Sequence, residues 1–284
     1  MHRTLRSGSL DEPHLMPASD SSFTGSIPEL YETYLVPMIF APYAAEVGQQ
    51  VAAMNVSRIL EIAAGTGVVT RALVGATKDA AIVATDLNQA MLDKAAAVGT
   101  ARPVRWQQAD AMALPFPDDE FDLVVCQFGA MFFPDKPKAF SEARRVLKSG
   151  GAYLFSVWDR ISENEFGETV TNALAGMFAQ DPPQFLVRTP HGYFDQAAIE
   201  RDLAAGGFTS APTIRTVAAR SRAESARIVA FAYCQGTPLR NEIEARGASR
   251  LDEATGLCEA ALAGRFGNGA VAGKIQAHIV SVRK

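Results

Sequence analysis

Arg58-Ile59-Leu60-Glu61-Ile62-Ala63-Ala64-Gly65-Thr66-Gly67-Val68-Val69-Thr70 reads as a buried strand, a tight small-residue turn and the start of a helix. Ile59, Leu60 and Ile62 form the short apolar run of a strand covered on both faces. Ala63 to Gly67 then removes side chains where the backbone must turn and a ligand must approach closely. Val68 to Leu73 resumes at helical spacing. In an open α/β sheet, ligands bind beyond the carboxyl ends of the strands, where this turn falls. A second apolar run, Ala81-Ile82-Val83-Ala84-Thr85-Asp86, ends in an acid. A carboxylate at that strand tip accepts hydrogen bonds from both hydroxyls of a ribose. Turn and acid together predict a nucleoside-bearing cofactor.

Which cofactor is decided by two further residues. A dinucleotide fingerprint needs a third Gly or Ala three positions after the second glycine, and that position is Thr70. It also has no use for Glu61, an acid inside an otherwise apolar strand. An acid beside the turn repels a pyrophosphate and suits a cationic ligand. A nicotinamide-dependent oxidoreductase is therefore the weaker reading of this sheet.

Farther on stand Gln108-Ala109-Asp110-Ala111, Leu114-Pro115-Phe116 and Phe121-Asp122-Leu123-Val124-Val125. Phe140-Ser141-Glu142-Ala143-Arg144-Arg145-Val146-Leu147-Lys148-Ser149-Gly150-Gly151 follows. In this order, with the Glu61–Gly67 turn and Asp86, the segments resemble the class I S-adenosylmethionine-dependent methyltransferases. The likeness is to the small-molecule branch, such as quinone-biosynthesis methyltransferases, and runs from about Tyr31 to Trp158. One departure is Ala63, where many members carry Gly; Ala is small enough to fill that role.

The resemblance implies an α/β, Rossmann-like, doubly wound sheet of seven strands, mostly parallel with an antiparallel last strand, and helices on both faces. It implies S-adenosyl-L-methionine as cofactor and a small-molecule methyl acceptor. It assigns cofactor contacts to Glu61, Ala63, Ala64, Gly65 and Gly67 in the first turn, and to Asp86, Leu87 and Met91 after the second strand. Asp110, the backbone N–H of Ala111 and Gln127 complete that set; a carboxylate beside a free N–H matches the donor and acceptor edge of adenine. The alternative for Met91 is ordinary helix core, and for Asp110 the capping of its own turn.

For the acceptor, the candidates are Tyr31 and Tyr34, one helical turn apart, and Phe128 and Met131 in an unusually apolar strand exit. Trp158 and His191 join them. Each aromatic has a plain alternative in core packing. His191 is the candidate general base, since an unperturbed imidazole titrates near neutrality; its alternative is a solvated loop histidine. Direct methyl transfer needs mainly alignment, worth roughly 7–11 kcal/mol, so no catalytic residue is assigned. A protein that binds the cofactor without catalysis remains open on sequence grounds.

The chain has 284 residues, 48% hydrophobic and 20% charged, with net charge −4. Nothing there suggests attraction to nucleic acid or an anionic membrane. The exit Cys126-Gln127-Phe128-Gly129 lacks the acid or amide, two prolines and aromatic that nucleobase amino methyltransferases carry. Cys126, Cys234 and Cys258 read as free thiols. The scattered histidines predict no metal site. No phosphate loop or nucleophile elbow is present in the sequence. Met1 to Ser22 has no apolar stretch of signal-peptide length, and no run spans a bilayer. A cytoplasmic protein is expected, with oligomeric state open, a homodimer included.

The expected organisation is a disordered tail over 1–25 and one domain over 26–284. Within it, 26–55 forms a helical flap, 56–160 the cofactor-binding core, and 161–284 the substrate lid and last strands. Ser26 and Asn88 are expected helix caps. Pro37 and Pro42 are expected to break or kink the flap helix. Ser149-Gly150-Gly151 is expected to end the helix that starts at Lys136. Val271 to Val282 is expected to be a helix end plus a final strand.

Overall fold

The computed structural model describes residues 17–284; residues 1–16, most of the expected tail, lie outside the described residues. Seven strands form one sheet: β1 (Arg58–Glu61), β2 (Ala81–Asp86), β3 (Arg105–Gln108), β4 (Phe121–Gln127), β5 (Leu147–Trp158), β6 (Thr213–Ala223) and β7 (Val271–Arg283). Their order is β3-β2-β1-β4-β5-β7-β6. The pairs from β3 to β5 are parallel, and β7 runs antiparallel to both neighbours. The chain leaves β1 to one side for β2 and β3, then returns to the other side for β4. That reversal opens a crevice at the carboxyl ends of β1 and β4, where α/β sheets bind ligands.

The parallel centre is held by apolar runs with no polar face. Ile59 pairs in register with Ile82 and Leu123, and Leu60 with Val83 and Val124. Ile59, Leu60, Leu123, Val124 and Val125 have no exposed surface. Each such side chain contributes about 1.5–3 kcal/mol relative to exposure.

Eleven α-helices surround the sheet among the described residues. They are α1 (Ile27–Leu30), α2 (Ala41–Ala52), α3 (Val68–Ala76), α4 (Gln89–Val98), α5 (Lys136–Val146), α6 (Glu165–Met177), α7 (Phe185–Arg188), α8 (Gln196–Ala205), α9 (Ala226–Gln235), α10 (Leu239–Ala245) and α11 (Leu251–Phe266). Helices α9, α10 and α11 fall between β6 and β7 and, with α6 and α7, pack into the lid. No described helix is long and apolar enough to cross a membrane.

Several local expectations are corrected. Pro37 does not break the flap helix: Tyr31–Phe40 winds as a wider π-helix with Pro37 inside it and passes directly into α2. Pro42 falls in the first turn of α2, where its missing N–H removes no helix bond. Ser26 and Asn88 stand at N-cap positions but make no side-chain cap bond. The Asn88 amide oxygen instead accepts the Phe23 N–H at 3.3 Å. Helix α5 stops at Val146, before the glycines, because Leu147 already pairs with Phe121 in the sheet. Residues 271–282 carry no helix end and are all strand, paired with β6 from Ser281 opposite Thr213 to Val271 opposite Ala223.

The tail boundary is also corrected. Residues 17–25 pack on the lid as a strap, with Ala18–Ser21 in a 3-10 turn. Asp20 is buried and takes both Nη2 (2.8 Å) and Nε (3.1 Å) of Arg188, together with the hydroxyl of Thr189. Arg188 also reaches Glu242 at 2.6 Å. A charge this buried persists only when paired, so the strap is fastened to the end of α7 and the residue that follows it.

Candidate active site

The turn after β1 passes through left-handed backbone three times, at Ala63 (φ 54°), Gly65 (φ 56°) and Gly67 (φ 85°). At Gly67 a Cβ would come within 2.9 Å of Trp106 Cη2 and 3.3 Å of Ala95 Cβ. Ala63 is small enough for its place, but its φ is one a glycine adopts freely and an L-residue adopts at about 1–2 kcal/mol. The opposing strand exit is equally bare. A Cβ on Gly129 would lie 2.5 Å from Ala63 Cβ and 2.8 Å from Cys126 Sγ. The exits of β1 and β4 therefore meet closely, with the Ala63 methyl group and the Cys126 thiol against the bare Gly129.

Asp86 ends β2 and faces this turn. Its Oδ2 accepts the Gly65 N–H at 2.9 Å and its Oδ1 the Asn88 N–H at 2.8 Å. Burial raises its carboxyl above the ordinary range, countered by those N–H donors. Oδ1 also receives the Asn88 Nδ2 at 3.5 Å, and Oδ2 keeps a lone pair for a ligand hydroxyl. Beyond β3, Asp110 Oδ1 caps its own turn through the Met112 N–H at 2.8 Å. Asp110 Oδ2 and the Ala111 N–H have no partner among the described residues. Both expected roles of Asp110 therefore coexist. Gln127 Nε2 reaches Phe40 O at 3.4 Å, while its Oε1 is buried without a partner.

These groups open on a cavity of about 330 Å³. Of the expected cofactor residues, Ala63, Gly65, Asp86, Leu87, Met91, Asp110, Ala111 and Gln127 line it. Glu61, Ala64 and Gly67 do not. Glu61 lies beneath the turn, buried, accepting the Thr70 hydroxyl at 2.6 Å, and burial pushes its carboxyl up to about 8. Ala64 ties the turn to β2 through its N–H on Thr85 O at 2.8 Å. Gly67 serves close packing.

Of the expected acceptor residues, Tyr31, Phe128, Met131, Trp158 and His191 line the cavity. Tyr34 does not; its ring meets Phe231 edge-on at 5.7 Å, so it packs. Tyr31 stacks on Phe40 at 4.8 Å. Phe128 stacks on Trp158 with centroids 3.9 Å apart and planes 5° from parallel. Phe128 holds φ 55°, rare for a bulky side chain and characteristic of sites where geometry is imposed by surroundings.

His191 is not a solvated loop residue. It is buried, 6.0 Å from the Trp158 ring, with Nδ1 2.8 Å from Asp159 O. Burial lowers its pKa to about 4, so the expectation of a near-neutral base is corrected: the ring is a neutral hydrogen-bonding group.

The cavity also uses residues that sequence reading passed over: Phe23 from the strap, Phe40, Asn88, Phe185 and Tyr233. Phe23 meets Tyr31 and Phe132 edge-on, at 6.1 and 5.8 Å. Asn88 reads in sequence only as a helix cap, and the others carry no signal beyond being aromatic in a helix or tail.

Strand order, a glycine turn after β1, an acid after β2 and an acid with a free N–H after β3 together define the S-adenosylmethionine-dependent class I methyltransferase fold. Residues 60–155 match the sequence model of the methyltransferase domain family, and the chain carries a class I methyltransferase domain there. An uncharacterized protein of Mycobacterium tuberculosis (strain ATCC 25618 / H37Rv) is 32% identical over 174 residues, 61% of this chain and 61% of that one. The ubiquinone/menaquinone biosynthesis C-methyltransferase of Stutzerimonas stutzeri (strain A1501) is 45% identical over 105 residues, 34% of this chain and 40% of that one. The matches thus span less than two thirds of these curated relatives.

Among solved structures, a putative methyltransferase of Bacillus halodurans superposes with TM-score 0.54 at 20% identity, over 84% of this chain and 98% of that one. A Haemonchus contortus phosphoethanolamine N-methyltransferase, solved with phosphomonomethylethanolamine and S-adenosylhomocysteine, gives 0.54 at 17% identity, over 90% and 56%. These likenesses establish the fold. The cofactor of the domain family is S-adenosylmethionine, and the free groups fit it. Asp86 offers an Oδ2 lone pair for a ribose, Asp110 and Ala111 an acceptor and a donor, and Gln127 an orphaned oxygen suited to an ammonium. The nicotinamide reading is set aside by the family match.

Proposed function

We propose that the protein is an S-adenosylmethionine-dependent methyltransferase acting on a small, flat, largely apolar acceptor. The observation that carries this reading is the asymmetry of the cavity wall. Its carboxylates, Asp86 and Asp110, stand at the nucleoside end, and no Lys or Arg among the described residues lines it. The remaining wall is dominated by aromatic rings, among them Phe40, Phe128, Phe132, Trp158 and Phe185. Such a wall suits an uncharged ring system and offers nothing to a phosphate backbone. The quinone-biosynthesis C-methyltransferase among the relatives is consistent with a flat acceptor.

Asp86 would hold the ribose hydroxyls, and Asp110 with the Ala111 N–H the adenine edge. Gln127 Oε1 would accept from the ammonium. When bound, the cofactor supplies an electrophilic methyl group on a sulfonium. The protein's own part is alignment and exclusion of water. Phe128 and Trp158, locked face to face, give a rigid wall, and Phe23 closes the strap side. Holding two reactants in line is worth roughly 7–11 kcal/mol.

The test is incubation with S-adenosylmethionine labelled in the methyl group and a panel of hydroxylated naphthalenes and small quinols. Label extractable into organic solvent, and lost in Asp86→Ala, is the expected result. Tight cofactor binding with no transfer to any member of the panel would favour a binding protein instead.

A further inference from the structure

We infer that His191 and Tyr233 form a hydrogen-bonding pair that selects an acceptor bearing a hydroxyl, a phenol or enol, over its methyl ether. This rests on the methyltransferase reading and narrows its substrate.

Both side chains line the cavity, and both are more than nine-tenths buried, His191 being 6% exposed and Tyr233 4%. They meet the same spot from two elements. A Cβ on Gly167 of α6 would lie 3.6 Å from His191 Nε2, 3.7 Å from Tyr233 Cε1 and 3.2 Å from Ile161 Cδ1, so the imidazole and the phenol ring approach one another at Gly167.

The proton on His191 is assigned by its partner. Asp159 O is a carbonyl and only accepts, so Nδ1 carries the hydrogen and Nε2 presents a bare lone pair. Asp159 is itself fixed, its carboxylate taking Gln276 Nε2 at 2.6 Å and the Arg160 N–H at 2.7 Å. His278 Nε2 stands 3.5 Å from the same carboxylate. The imidazole is therefore positioned from behind by a saturated network.

Neither His191 Nε2 nor the Tyr233 hydroxyl has a hydrogen-bond partner among the described residues. Neighbouring polar groups on that wall are engaged. The Asn164 amide binds the carbonyls of Asp159 and Arg160 and accepts the Gln276 N–H. The Thr237 hydroxyl donates to Tyr233 O and accepts the Leu239 N–H. An acceptor hydroxyl would satisfy both free groups at once, donating to Nε2 and accepting from the tyrosine O–H. A methyl ether can accept but cannot donate, so it leaves Nε2 desolvated and unpaired.

The probe is 2-naphthol against 2-methoxynaphthalene, titrated calorimetrically into full-length protein saturated with S-adenosylhomocysteine. The naphthol is expected to bind about tenfold or more tightly than the ether. Tyr233→Phe and His191→Phe are each expected to shrink that ratio below about threefold. Tyr233→Phe should leave the melting temperature unchanged, because its hydroxyl bonds nothing in the fold. Equal affinities in the wild-type protein, binding of neither probe, or a ratio untouched by both variants would overturn the pair while leaving the methyltransferase reading in place. Failure to bind S-adenosylhomocysteine would overturn both.

Discussion

The two halves of the cavity are built from very different lengths of chain. The nucleoside half comes from three successive strand exits, Ala63–Gly65, Asp86–Met91 and Ala109–Met112, each a short local stretch. The acceptor half collects Phe23, Phe40, Phe128, Trp158, Phe185 and Tyr233 from the strap, the π-helix, two strand ends and two lid helices. The first half works largely through backbone groups and short acids, and these need glycine at particular places. The second works through ring faces, which many sequences can supply. A ligand held by main chain at a strand end leaves a readable pattern; one held by side-chain surface does not.

The largest expected effect lies in the readable half. Asp86→Ala removes the acceptor of the Gly65 and Asn88 N–H groups as well as the proposed ribose contacts. Two charge-assisted hydrogen bonds to ligand are worth about 3 kcal/mol, or about 100-fold in Kd for S-adenosylhomocysteine. Calorimetry showing less than about fivefold would mean that the nucleoside end is elsewhere.

In the unreadable half the strap is the sharpest probe. Asp20→Ala unfastens it from Arg188 and Thr189, although Glu242 still holds Arg188. A loss of about 2 kcal/mol in urea denaturation is expected, below the full cost of breaking a buried pair because Arg188 is partly exposed. An unchanged midpoint would make the strap an ornament.

Glu61, beneath the nucleoside half, and His191, in the wall of the acceptor half, should tilt stability with pH in opposite senses. Burial keeps the Glu61 proton on up to about 8 in the fold, against an ordinary 4.5 when unfolded. Its contribution is full below 4.5 and is lost as pH rises toward 8. His191 is kept neutral down to about 4, against an ordinary 6.5. Its contribution is full above 6.5 and is lost as pH falls toward 4. In Glu61→Gln the alkaline decline should vanish, a difference of at most about 1.4 kcal/mol per pH unit between pH 5 and 8. Parallel melting profiles for variant and wild type would show that Glu61 is ionised in the fold.

The smallest effect expected is a gain. Ala63→Gly relieves left-handed backbone at the cost of greater freedom when unfolded, for a net of about 0.5 kcal/mol. A loss in the melting temperature would mean that the Ala63 methyl group earns its place against Gly129.

Most of the nucleoside half was legible, with instructive exceptions. Glu61 and Gly67 stood out in sequence as cofactor residues, yet one is buried beneath the turn and the other is needed for packing against Trp106. A pattern at a turn marks everything the turn requires, its foundations as well as its ligand contacts. Tyr31 and Tyr34 looked equivalent at helical spacing, but the π-helix turns one to the cavity and the other to Phe231. Residues 17–25 read as disordered because polar composition cannot reveal that Asp20 meets Arg188 across the fold.

The sequence by itself determined the parallel core, the first turn, Asp86, Asp110 and hence the kind of cofactor. Apolar runs, glycines and strand-end acids act on their immediate neighbours, so their meaning survives without coordinates of anything distant. The tertiary structure alone decided the strap, the continuous β6–β7 pairing, the neutral state of His191 and its meeting with Tyr233. Each of those depends on burial and on contacts between segments far apart in the chain, and burial is a property of the packed fold rather than of any stretch of it.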